Sequence, residues 1–186
     1  MYKLNPESFI AQVIRLINIE KGTLFVDCIA YNQTEQKFES TIFTASTTKR
    51  PLSEAEKVKK SIQPYIFVDG ASEESVERKF AKDLEAAAEV CVYAKLPKGR
   101  KGFFIPTPVG DYSPDWAIAF NDGAVKHIYF IAETKGSLSS LDLRRIEEIK
   151  TECARKIFNR LSLTQVRYDV VKDYHDLLNA INNLKD

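Results

Sequence analysis

Between Ser113 and Gly136 the chain reads Ser-Pro-Asp-Trp-Ala-Ile-Ala-Phe, then Asn-Asp-Gly and a short connection, then His-Ile-Tyr-Phe-Ile-Ala-Glu-Thr-Lys-Gly. Two apolar runs rich in β-branched and aromatic residues, parted by turn residues, predict two strands. Asn121-Asp122-Gly123 favours a tight hairpin that pairs them. Asp115 then stands at the head of the first strand, and Glu133 and Lys135 at the tail of the second. Side chains alternate between the faces of a strand, so Glu133 and Lys135 share a face and Thr134 points away. The same alternation groups Asp115 with Ala117 and Ala119, and Trp116 with Ile118 and Phe120. The two alanines are expected to leave room beside the acids.

The Glu-x-Lys tripeptide is not informative alone. It occurs at Glu35–Lys37, Glu77–Lys79, Glu133–Lys135 and Glu148–Lys150, whereas Pro-Asp occurs only at Pro114–Asp115. Glu77–Lys79 and Glu148–Lys150 fall in helical patterns, where residues two apart diverge. Glu35–Lys37 falls in a polar turn. Two carboxylates and a lysine at neighbouring strand ends form the layout of a PD-(D/E)xK nuclease. Such acids can hold a divalent metal, and the metal can activate water and neutralise charge at phosphorus. Hard oxygen ligands suit Mg²⁺, and Mn²⁺ can substitute. Asp115 and Glu133 are the expected metal ligands, with the Thr134 carbonyl as an extra one. Lys135 is expected to orient or activate the attacking water. The competing reading is a turn acid and a surface ion pair without catalysis.

The 44% hydrophobic content is enough for a real core, and 186 residues suit one domain with an appended piece. A net charge of +1 neither demands nor excludes nucleic acid. Cys28, Cys91 and Cys153 are widely spaced, which fits a reducing cytosol rather than a disulfide framework or a zinc site. No run has transmembrane length and the N-terminus lacks a signal-peptide pattern, so a cytoplasmic protein without membrane association is expected.

Residues 6–19 read as an amphipathic helix, and Thr23–Tyr31 and Lys37–Thr44 as strands of a small hairpin. Residues 45–61 are polar and read as a linker. The expected division is therefore 1–61, a helix-plus-hairpin extension and linker, and 62–186, the endonuclease domain. In the second part a helix capped by Ser72 runs to about Glu89. Strands follow at Val90–Leu96, Phe103–Pro106, Asp115–Phe120 and Ile128–Glu133. Then come a helix capped by Ser139 or Ser140 and ending near Leu161, a strand over Gln165–Val171, and a helix over Asp173–Leu184. Helices on both sides of the strand run predict an α/β fold, a mixed sheet flanked by helices in an α/β/α arrangement.

Other residues extend the candidate site. Glu77 shares a helical stripe with Phe80, Ala81, Leu84 and Ala88. A carboxylate there is costly unless it is paired or metal-bound, so it is either a supporting acid for the metal site or the partner of a nearby Lys or Arg. Arg144, Glu147 and Lys150 recur at three-residue spacing on the later helix. Lys150 can reach the acids or a phosphate, while for Arg144 and Glu147, each taken alone, helix-surface ion pairing is the favoured reading over a supporting role at the site. Lys95, Lys98, Arg100 and Lys101 cluster around Pro97 and Gly99, either gripping a DNA backbone or simply solvated. His127 and His175 read as structural.

From about Ser75 to Leu161 the sequence resembles the C-terminal endonuclease domain of the restriction (Res) subunit of type III restriction enzymes. The carrying segments are Ser75–Glu85, Tyr93-Ala-Lys-Leu-Pro97, Phe104–Ile118, Tyr129-Phe-Ile-Ala-Glu-Thr-Lys-Gly136 and Leu143–Ala154. Lys37–Phe43 also resembles the segment leading into that domain. Ser113 and Ile157 depart from the pattern, where asparagine and histidine are common. The resemblance implies a PD-(D/E)xK restriction-endonuclease-like core and Mg²⁺-dependent cleavage of double-stranded DNA. It also implies two partners, a helicase-like motor in the same full-length subunit and a modification (methyltransferase) subunit. The chain has no Gly-x-x-x-x-Gly-Lys-Ser/Thr loop, so ATP would act only through a motor outside it. The expected enzyme is thus the nuclease part of a type III site-specific deoxyribonuclease. A non-catalytic DNA-binding or docking module on the same fold, and a repair or junction-resolving nuclease, are the alternatives.

Overall fold

The computed structural model describes residues 5–32, 35, 39–43, 50–69, 75–99, 102–121, 125–133, 141–161 and 166–182. Its centre is a four-stranded mixed sheet. The strands are β3 (Val90–Lys95), β4 (Trp116–Asn121), β5 (Val125–Glu133) and β6 (Val166–Val171). β3, β4 and β5 run antiparallel in turn, while β6 runs parallel to β5. A parallel neighbour requires a crossover, and α3 (Leu141–Leu161) supplies it.

The sheet has a core on each face. Trp116, Ile118, Phe120, Tyr93 and Tyr129 pack with Phe80, Ala81 and Leu84 of α2 (Val76–Ala86) and Leu177 of α4 (Tyr174–Asn182). Ala117 packs instead with Ile149, Cys153, Ala154 and Phe158 of α3, and with Leu96, Phe103, Ile105 and Tyr112. The predicted alternation of β4 is therefore realised. The room expected beside Ala117 is not present, because α3 fills it: Ile149, Cys153 and Phe158 are all buried there. Small alanines let the helix approach the sheet closely.

Local signals explain several boundaries. Ser75 caps α2, its hydroxyl accepting a hydrogen bond from Arg78 N at 3.3 Å. The expected cap, Ser72, lies outside the described residues, as do Ser139 and Ser140. Asp173 caps α4 by accepting from Asp176 N at 2.9 Å. The Asn121–Gly123 turn is described only at Asn121, which pairs with Val125 as the two strands meet. Phe103–Pro106 is not a strand. Ile105 forms a single bridge to Tyr112, because residues 107–110 turn back at once, with Gly110 at a φ of 111°.

The N-terminal part departs from expectation. α1 runs Pro6–Phe25, beyond the predicted end at 19, and Val26–Cys28 continues as a 3-10 turn. Thr23–Tyr31 is therefore not a strand. Asn5 accepts from Ser8 N and Pro6 opens the first turn, so the helix starts well. Its far end is held against α3. A Cβ on Gly22 would lie 2.9 Å from Val109 Cγ1 and 3.0 Å from Ile149 Cδ1, so glycine permits this close approach. The Glu20–Arg145 ion pair joins the same two helices at 2.6 Å. The contact at Gly22 anchors the last turns of α1, and Thr23–Phe25 continue them with exposed side chains, whereas a lone hairpin is marginal. Of the second expected strand, Ser40–Phe43 is a 3-10 turn, with Ile42 and Phe43 resting on the α3-side core.

Residues 50–61, expected as the end of a linker, contribute to the folded body. Glu56–Lys57 (β1) pairs with Tyr65–Ile66 (β2), and Tyr93 N donates to Lys60 O at 3.1 Å. The Glu85 carboxylate accepts from Lys59 N at 2.7 Å and Lys60 N at 3.2 Å. Among the described residues no helix is long and apolar enough to cross a membrane.

Candidate active site

The candidate site lies where β3 ends and β4 begins. Asp115 immediately precedes β4, and its carbonyl accepts from Leu96 N at 2.8 Å. Lys95 ends β3 opposite Trp116. Its ammonium sits 4.7 Å from the centre of the Trp116 ring. Phe80 and Tyr93 flank that ring, with centroids at 5.7 and 5.9 Å. The aromatic wall fixes the lysine stem, and the face of the indole attracts the charge.

From this position Lys95 meets two acids. It forms an ion pair with Glu77 of α2, and its Nζ lies 3.7 Å from Asp115 Oδ1. Glu77 is 2% exposed and Asp115 7%. Buried carboxylates need such partners. Glu77 also accepts from Asp69 N. Lys98, at the rim, reaches Asp115 at 3.3 Å and Asp69 at 3.4 Å. Burial pulls the Lys98 pKa down, but the charges of Asp115 and Asp69 outweigh it and hold the ammonium above its ordinary value. Lys98 therefore stays charged at neutral pH. The loop that carries it is tied back by Ser113, whose hydroxyl accepts from Gly99 N at 3.3 Å.

The expected site residues thus fall into three groups. Asp115, Glu77 and Lys98 are brought together. The Asp115 carboxylate does not follow Ala117 beneath α3. It turns to Lys95 and Lys98 because it stands before the first paired residue of β4. Glu133 is the last residue of β5, paired with Val171 and two residues beyond Ile131, the partner of Trp116. The backbone therefore ends β5 beside the start of β4. The Glu133 side chain, and Thr134, Lys135, Arg100 and Lys101 entirely, lie outside the described residues. Arg144, Glu147 and Lys150 stand on α3. Lys150 pairs with Glu147 at 3.2 Å, and Arg144 is exposed.

The sequence pattern groups Lys95 with a basic loop, whereas its side chain projects into a carboxylate pair. The signal was its place two residues after Tyr93 in an apolar strand, on the face of the sheet that α2 covers.

Among the described residues no three His, Cys, Asp or Glu side chains gather as a metal cage. Glu77 and Asp115 nevertheless offer hard carboxylate oxygens to a single cation, Lys95 Nζ. That donor chemistry fits Mg²⁺ or Mn²⁺.

Comparison with known proteins bears on the family of the chain. The model of a family described as an endonuclease domain matches residues 59–174. The Res subunit of the type III restriction-modification enzyme EcoPI, from Escherichia phage P1, is 31% identical over 144 residues, covering 72% of this chain and 14% of that protein. The corresponding EcoP15I Res subunit from Escherichia coli is 30% identical over 144 residues, with the same coverage. The chain thus spans about a seventh of the length of these relatives. No solved structure matches it. With most of its length, Asp115 and Glu77 included, inside the matched pattern, the chain belongs to the endonuclease-domain family and is related to type III Res subunits.

Proposed function

We propose that the chain is the cleavage module of a type III restriction-modification enzyme, a PD-(D/E)xK domain that hydrolyses phosphodiester bonds of double-stranded DNA with Mg²⁺. The observation that carries this reading is the convergence of two buried carboxylates, Glu77 and Asp115, at the sheet end where β5 delivers Glu133. Asp115, Glu133 and Glu77 would hold the metal, with the Thr134 carbonyl as a further ligand. The bound metal supplies an activated water and charge neutralisation at phosphorus. Lys135 would orient that water. Lys98, half exposed at the rim and firmly protonated, draws a phosphate toward the acids. In the reaction a water oxygen bonds to phosphorus, the bond to the leaving sugar oxygen breaks, and that oxygen takes up a proton. In the full-length protein a helicase-like motor would spend ATP to deliver DNA, and a modification subunit would recognise it.

The alternative of a non-catalytic DNA-binding module relies on the Lys95–Lys101 cations. Lys95 counts against it, because its ammonium is turned into the carboxylate pair of Glu77 and Asp115.

The test is nicking of supercoiled plasmid with Mg²⁺ or Mn²⁺. Wild-type protein is expected to nick, and Asp115→Ala and Lys135→Ala to lose the activity while keeping the wild-type circular dichroism spectrum. Undiminished nicking by either folded variant would refute the site. If the isolated chain does not nick, the same comparison is made in the full-length subunit with its modification partner. Failure there would refute the function.

A further inference from the structure

The Lys95 ammonium stands between Glu77 and Asp115, in ion-pair contact with both, and over the face of Trp116. Its side chain is 12% exposed and that of Glu77 is 1% exposed. Two carboxylates so deeply placed repel each other unless a cation lies near both. Lys95 is such a cation, and it comes from the sheet itself. A divalent ion drawing on the same oxygens would bring two further positive charges up against the ammonium. In so dry a setting like charges at ion-pair range repel strongly. The lysine stem is long and flexible enough to swing the ammonium to the rim, where Lys98 already meets solvent.

We propose that Lys95 competes with a divalent cation for the carboxylates of Glu77 and Asp115, and that it leaves the Trp116 ring when the cation binds. This rests on the metal-dependent reading above. Lys95 is then a positioning residue. It holds the two acids together and sets the metal concentration at which the site loads. Its release also frees a positive charge beside the place where a phosphate would enter.

Trp116 is the only tryptophan of the chain, so its emission reports this movement directly. Metal affinity is measured by calorimetry with Mn²⁺, and indole emission is followed during titration with diamagnetic Mg²⁺. Wild type, Lys95→Met, Lys95→Arg and Asp115→Asn are compared. Lys95→Met removes the competing charge but keeps the stem, so it is expected to bind Mn²⁺ at least about tenfold more tightly. Lys95→Arg is expected to restore affinity toward the wild-type value. Mg²⁺ is expected to shift Trp116 emission in wild type but not in Lys95→Met, where there is no ammonium to displace. The proposal is overturned if folded Lys95→Met binds Mn²⁺ no more tightly than wild type. It is also overturned if wild-type Trp116 emission is unmoved through saturation, a result that holds even if Lys95→Met does not fold. In both cases wild-type binding that Asp115→Asn abolishes would leave the nuclease site standing. A wild-type protein that binds neither ion overturns both readings.

Discussion

Replacing Glu77 with leucine should be among the most damaging single changes near the site. Glu77 lies in the α2 stripe between the sheet and the helix, and two groups depend on it. It pairs with Lys95 and accepts from Asp69 N. Removing one member of a buried ion pair costs roughly 3–5 kcal/mol, because the other charge is left in a dry setting. Lys95 retains Asp115 at 3.7 Å and the Trp116 face, which places the expected loss at the low end, about 3 kcal/mol. For a domain of this size that corresponds to a fall in melting temperature of roughly 6–12 °C. The double variant Glu77→Leu/Lys95→Met replaces the pair with apolar groups of similar length and should recover most of the loss. Urea denaturation followed by Trp116 emission measures both variants and the coupling between the two positions. A single variant within about 1 kcal/mol of wild type, or a double variant as unstable as the sum of the singles, would show that no buried pair links α2 to β3.

Two further outcomes follow from the same network. Glu85 is held below its ordinary carboxylate range. Burial pushes it up, but the Lys59 and Lys60 N–H groups, the Tyr93 hydroxyl and the Lys60 charge outweigh that. A depressed carboxyl contributes stability above its unfolded value, near 4.5, and loses it as pH falls through the lower folded value. Glu85→Gln should therefore cost no more than about 1 kcal/mol at pH 7, because solvent screens the site, with the gap to wild type closing below pH 4.5. A gap that is constant from pH 7 to pH 3 would contradict this. Removal of divalent ions with EDTA should leave the melting temperature essentially unchanged, because Lys95 and Lys98 already neutralise the acids. A fall of about 5 °C or more would mean that folding depends on a tightly held metal instead.

The parts of this molecule legible in its sequence are those fixed by period. The alternation of Trp116, Ile118 and Phe120 against Ala117 and Ala119 predicts β4 and both faces of the sheet. The stripe Glu77, Phe80, Ala81, Leu84 predicts the buried face of α2, with Glu77 among the apolar residues. Where the pattern allows two answers, tertiary contacts decide. Thr23–Phe25 carries strand-forming residues, yet α1 continues through it because Gly22 brings the helix onto Ile149 and Val109. The site shows the same limit. Proximity of Asp115 to the β5 end was readable from a hairpin. That Lys95 would lie over Trp116 depends on the pairing of β3 with β4, and a residue-by-residue reading does not give that register.

Two buried negative charges, Glu77 and Asp115, are an obstacle to folding whatever chemistry they serve. A site that relied on a metal to neutralise them would make folding and metal loading one event, as in small metal-stapled domains. Here the aromatic wall of Phe80, Tyr93 and Trp116 anchors α2 to the sheet independently of the acids. Lys95 and Lys98 then supply the compensating charge from β3 and its following loop. The domain can therefore complete its core with the acids already in place. On the metal-dependent function proposed above, metal binding would then be a later exchange of one cation for another, and Lys95 would set the strength with which the metal must compete.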